Sequence, residues 1–165
     1  MNEHLQKKIM KGFGYTAWWR TTDTHAWSLA VKRLSQLFRT PAFPAHITLR
    51  SRLRYNPVEC PSLQGYERLD AFPHKIHASS TMIRSWDYTQ FHAIEMPVSD
   101  HFHLPRNAHV SLAYRVGGRP FNQEEVATAT EVVRSIPGWE FIQGTELSAV
   151  IYDATSEEVE RWHQA

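Results

Sequence analysis

Residues 46–49 read His-Ile-Thr-Leu, and residues 109–112 read His-Val-Ser-Leu. Each tetrad lies in a run that alternates as a strand does, "AHITLRSRL" and "AHVSLAYRV". No other feature of the chain limits its possible folds as much. In a strand, residues two apart point to the same face. His46 and Thr48 therefore share one face, while Ile47 and Leu49 share the other. His109 and Ser111 stand in the same relation to Val110 and Leu112. A fold that buries the aliphatic pairs displays the imidazoles and hydroxyls on the opposite side. Two such strands side by side would gather four polar groups into one small volume.

The flanking sequence supplies the rest of the fold. "GFGYTAWWRTT" (12–22) is rich in β-formers and predicts a first strand. "HAWSLAVKRLSQLFR" predicts a helix, with Trp27, Ala30, Val31, Leu34, Leu37 and Phe38 on one face. Thr22, Asp23 or Thr24 is placed to cap it, and Pro41 and Pro44 to end it. Residues 53–73 read as loop. "HKIHASSTMIRS" and "TQFHAIEMPV" predict a strand pair turning near Asp87. "NQEEVATATEVVRSI" predicts a second helix with Asn122 as cap and Glu125 at the capping-box position. One or two strands in "WEFIQGTELSAVIYDA" and a short helix in "SEEVERWHQ" complete the chain. The expected class is α+β, an antiparallel sheet partly covered by helices. Residues 1–12 read as a loose arm and 13–165 as one domain, with no linker to divide it. Each half holds one tetrad and one helix of about four turns, in opposite order, which raises the suspicion of an internal repeat.

Composition bounds the function. The chain has 165 residues, 42% hydrophobic and 21% charged, an ordinary globular composition. No apolar run approaches the roughly 20 residues that span a bilayer, and the first residues have no apolar signal region. Cys60 is the only cysteine, so an intrachain disulfide and a thiolate zinc cluster are excluded. A reducing, cytoplasmic setting and a monomer without membrane or obligate protein partner are expected. Residues 1–56 hold ten Lys or Arg and two acids, a balance of +8, so the remainder of a chain of net +1 carries −7. A basic half of this kind attracts phosphates.

Two histidines with two hydroxyls suit one chemistry closely. Cleaving a phosphodiester needs a proton taken from the nucleophile and a proton given to the leaving oxygen. An imidazole titrates near 6.5, so a pair can supply one neutral base and one protonated acid near neutral pH. Thr48 and Ser111 can donate hydrogen bonds to the non-bridging oxygens, where charge develops. No metal or cofactor is required. Pseudo-symmetry leaves open which histidine is base and which is acid.

"HITL" and "HVSL" together resemble the paired signature of the two-histidine (2H) phosphoesterases, and the cyclic phosphodiesterase type most of all. "YTAWW" resembles the aromatic first strand of those enzymes, "FPAHITL" follows the first helix as their first motif does, and "ELSAVIYDA" resembles their late strand. The order of elements agrees over roughly 13–154. The resemblance implies a bilobal fold with antiparallel sheets, helices outside and a pseudo-twofold central groove. It implies hydrolysis of 2′,3′-cyclic phosphates or of 2′,5′-linked or cyclic oligonucleotides, with His46, His109, Thr48 and Ser111 as the catalytic set. An antagonist that degrades nucleotide messengers would use the same chemistry. A non-catalytic nucleotide- or RNA-binding module is the alternative from another class.

Further candidates surround this set. Trp18 matches the family's first-strand Trp and could stack on a base. Strict alternation carries Arg50 and Arg52 on from Thr48, and Arg115 on from His109, as phosphate-binding arginines. Tyr114 falls on the face away from His109 by strict alternation; the resemblance brings it to the site, which requires a twist or bulge. "HAS" at 77–79 repeats the His-x-Ser spacing without the Leu. His101 and His103 in "DHFH" have metal-ligand spacing, but a solvated loop is the simpler reading.

Overall fold

The computed structural model describes residues 14–53, 72–84, 89–99, 108–140, 147–154 and 159–164. The N-terminal arm, Cys60, the turn near Asp87 and the "DHFH" stretch lie outside the described residues. In chain order the elements are β1 (Gly14–Thr21), α1 (Ala26–Phe38), β2 (His46–Leu53), β3 (Phe72–Pro73) and β4 (His77–Arg84). They continue with β5 (Thr89–Ser99), β6 (His109–Val116), α2 (Gln123–Arg134), β7 (Leu147–Ala154), a 3₁₀ turn (Val159–Arg161) and β8 (His163–Gln164). The fold is α+β.

The described strands join in one antiparallel sheet of order β3-β5-β6-β2-β1-β7-β8, with β4 also paired to β5. The two tetrad strands, β2 and β6, are neighbours at its centre. Their ladder is short, with Ile47 opposite Val110. Ile47, Val110 and Leu112 of the tetrads lie in the core on the helix side: α1 lies against β6, and α2 lies against α1 and β4. Trp27, Ala30, Val31 and Leu34 of α1 share one buried cluster with Ile47, Val110, Leu112, Ile94 and Met96. Burying each Leu, Ile or Val of this kind contributes about 1.5–3 kcal/mol. This face anchors the two central strands and turns the polar halves of the tetrads the other way.

The helix ends differ in how closely they follow the sequence. In α2, Asn122 Oδ1 accepts the Glu125 N–H at 2.8 Å, and Glu125 Oε1 accepts the Asn122 N–H at 3.0 Å, completing the expected capping box. In α1 the cap is His25, not Thr22, Asp23 or Thr24. The buried ring of His25 accepts the Trp27 N–H at Nδ1, 3.1 Å away. The helix stops at Arg39, whose φ of 55° is left-handed, before either proline is reached. Leu37 leaves the expected apolar face and is exposed. Of the expected C-terminal helix, the described residues hold the 3₁₀ turn Val159–Arg161, after which the chain pairs with β7 as β8. Within the expected loop 53–73, Phe72–Pro73 pairs with β5.

Candidate active site

Extending the Ile47–Val110 pair by one step in each direction places His46 opposite Ser111 and Thr48 opposite His109. Opposed residues of an antiparallel pair share a face, so the four side chains form the corners of a square. His46 and His109 occupy a diagonal, a spacing of about 7–8 Å between such positions in antiparallel sheets. A local twofold axis through Ile47 and Val110 exchanges His46 with His109 and Thr48 with Ser111.

The same axis relates two irregularities. On β6 the register to β5 runs Glu95–Ser111 and then Ile94–Ala113, leaving Leu112 without a register partner. On β2 the register to β1 runs Trp18–Thr48 and then Ala17–Arg50, leaving Leu49 without one. The Leu of each tetrad is thus the extra residue of a β-bulge, and a bulge resets the alternation beyond it.

The reset moves two predicted residues. Tyr114 pairs with Ala93, on the face of Glu95 and Ser111. It therefore joins the site face, and its hydroxyl hydrogen-bonds Ser111. Burial pushes its phenol well above the usual range, so it remains protonated. Arg115 pairs with His92 and leaves the site. Its guanidinium donates to Glu125 at 2.9 Å and lies 4.1 Å over the Phe121 ring, committed to the start of α2. The expectation of a phosphate-binding Arg115 is corrected accordingly. For Arg50 and Arg52 the backbone is described and the side chains are not. The register shift between Thr48 and Arg50 interrupts the alternation on which both were placed.

Trp18 reaches the site, but not as an open stacking platform. It is 1% exposed and lies face to face with His46, with ring centroids 3.3 Å apart and planes at 7°. Phe43 meets His46 edge-on at 6.3 Å. Trp162, following the 3₁₀ turn, touches Trp18, Phe91 and Tyr114, closing an aromatic wall on this face.

His46 is the better defined of the two imidazoles. It is 3% exposed, and Nδ1 lies 2.7 Å from the Pro44 carbonyl. A carbonyl only accepts, so Nδ1 carries the proton and Nε2 keeps its lone pair. Burial pushes the ring down to about 3, against the Pro44 hydrogen bond, with the neighbouring charge of His109 adding to the fall. His46 is therefore a neutral imidazole near neutral pH. His109 is half-buried, and its Nε2 stands 3.4 Å from Glu95 Oε1, an ion pair whenever the ring is protonated.

Register also reveals residues that the sequence reading passed over. Register pairs Arg20 with His46 on one side of the Ile47–Val110 pair, and Ser111 with Glu95 and Glu95 with His77 on the other. Arg20 Nη2 donates to Asp23 at 3.0 Å, while its buried Nε has no hydrogen-bond partner among the described residues. Glu95 could have been found in the sequence as a lone acid inside the apolar run "FHAIEMPV". Arg20 gives no such signal, since an arginine at a strand end is ordinary. Among the described residues, no group of three or more His, Cys, Asp or Glu is arranged to hold a metal, and no helix is long and apolar enough to cross a membrane. No protein-family model matches the chain, and no curated protein matches it.

Proposed function

We propose that this chain is a metal-independent phosphodiesterase of the two-histidine type, acting on 2′,3′-cyclic phosphates or on 2′,5′-linked or cyclic oligonucleotides. The observation that carries the reading is the antiparallel Ile47–Val110 pair, which sets the two tetrads side by side so that alternation brings two imidazoles and two hydroxyls to one face. The bilobal fold of those enzymes belongs to the same proposal, and the paired bulges at Leu49 and Leu112 support it as traces of a duplicated strand unit.

The environments of the two histidines suggest their roles. His46, held neutral with its lone pair on Nε2, is suited to take a proton from water as it attacks phosphorus. His109, with a carboxylate beside it, is suited to carry the proton given to the leaving ribose oxygen as the P–O bond breaks. A cyclic diester then becomes a monoester. Thr48 and Ser111 donate to the non-bridging oxygens, and Tyr114 orients the Ser111 hydroxyl. Where a ribose 2′-hydroxyl is the nucleophile, His46 takes its proton instead.

The deep burial of His46 favours one second reading, a nucleotide-binding module without turnover. A panel of 2′,3′-cyclic nucleotides, 2′,5′-oligoadenylates and cyclic dinucleotides, assayed with EDTA present, separates the two. Turnover of at least one member in EDTA is expected. Binding without turnover of any member supports the module, and turnover that requires added zinc or manganese overturns the acid–base scheme.

A further inference from the structure

Glu95 stands between two imidazoles. Its Oε1 lies 3.4 Å from His109 Nε2, and its Oε2 lies 3.4 Å from His77 Nε2. The three residues come from three adjacent strands, β4, β5 and β6. Glu95 faces His77 directly and His109 diagonally, across the Ser111 register position. The carboxylate is only 17% exposed in its side chain, so its charge is weakly screened there. At 3.4 Å both contacts are longer than a typical hydrogen bond, and each becomes an ion pair when its ring is protonated. Tyr114 feels the charge of Glu95, and His46 feels that of His109.

Glu95 occupies a costly position for an acid. Its strand neighbours Ile94 and Met96 are fully buried in the core beneath the sheet. A carboxylate drawn partly out of water needs a partner, and the partners it has are one histidine of the square and one outside it. We infer that Glu95 is a positioning residue for His109: its carboxylate, shared with His77, holds the His109 imidazole on the site face and pairs with it whenever the ring carries a proton. This rests on the phosphodiesterase reading for its consequence in catalysis, but the hold on the ring does not depend on turnover.

The test uses Glu95→Gln, which keeps the volume and one acceptor oxygen but removes the charge. Two readouts are taken on the full chain. The first is kcat on the best substrate of the panel, in a cycle with His109→Ala. Glu95→Gln is expected to lower kcat about 10- to 100-fold with KM within about threefold, at the low end of what a positioned acid contributes. It should cost nothing further in the His109→Ala background, because it acts through that ring. The second is the His109 ring signal in nitrogen-edited NMR spectra, which should shift in Glu95→Gln as the carboxylate charge beside the ring is removed. Near-wild-type kcat in Glu95→Gln, or an equal loss in the His109→Ala background, overturns the inference. So does an unchanged ring signal. If the wild type turns over nothing while the ring signal still depends on Glu95, the hold on His109 stands and the catalytic reading alone falls.

Discussion

His46 meets a wall of aromatic rings rather than water, and that sets how its chemistry should depend on pH. With the imidazole held near 3 by burial, kcat/KM should not fall between pH 6.5 and 5 through protonation of the base. An unperturbed pair would give a bell centred near neutrality. Trp18→Leu should loosen the stack and let water reach the ring, moving the acid limb up toward 6.5 while KM changes little. A raised KM with an unmoved limb would instead return Trp18 to the role of base-stacking platform. Thr48→Ala and Ser111→Ala should each lower kcat about 10- to 10³-fold as single phosphate donors, measured with melting curves that show the variants folded. His46, Thr48, His109 and Ser111 were readable in the sequence because a strand's period of two fixes which side chains share a face. Glu95 was not singled out, since nothing in a single strand says which acid will face which histidine on its neighbour.

At the scale of elements, the bulges explain both the success and the failure of alternation. Up to Leu112 the period of two holds, and Val110 and His109 lie where it puts them. Beyond Leu112 it fails, sending Tyr114 to the site and Arg115 to the helix side. A bulge depends on how two strands share register, which a single strand's sequence does not record. Helix α2 is the opposite case, because its capping box is local and was legible in Asn122 and Glu125. Burial opposes the charge of Glu125, but hydrogen bonds from Arg119, the Asn122 N–H and Arg115 outweigh it and hold the carboxyl at about 2. Asn122→Ala should cost about 1 kcal/mol, a fall of roughly 2–4 °C in Tm for a chain of this size. Calorimetry checks it, and an unchanged Tm would mean that the Arg115 and Arg119 pairs hold the helix start without the cap.

For the whole molecule, the buried imidazole couples folding to pH. The unfolded His46 ring titrates near 6.5 and the folded ring at about 3, so between these values the unfolded chain binds a proton that the native state refuses. Stability then rises with pH. The His46 contribution is complete above 6.5 and is lost as pH falls toward 3, by at most about 1.4 kcal/mol per unit. Glu125, lowered from 4.5 to about 2, adds a second loss below 4.5. Tm should therefore be level from pH 6.5 up to about 10, where the unfolded Tyr114 phenol begins to ionise, and decline beneath 6.5, and His46→Asn should flatten the decline between 6.5 and 4.5. A decline unchanged in His46→Asn would place its cause elsewhere. The α+β class was legible from hydrophobic period and element order. The strand order of the sheet was not, because it arises from pairings distant in sequence, such as β1 with β7. The central claim is that His46 and His109 act as one catalytic unit, and kcat of the single and double alanine variants on the best panel substrate tests it most directly. Each single variant should lose about 10²- to 10⁴-fold, and the double should fall only slightly below the worse single. Near-wild-type turnover in either single variant would contradict it.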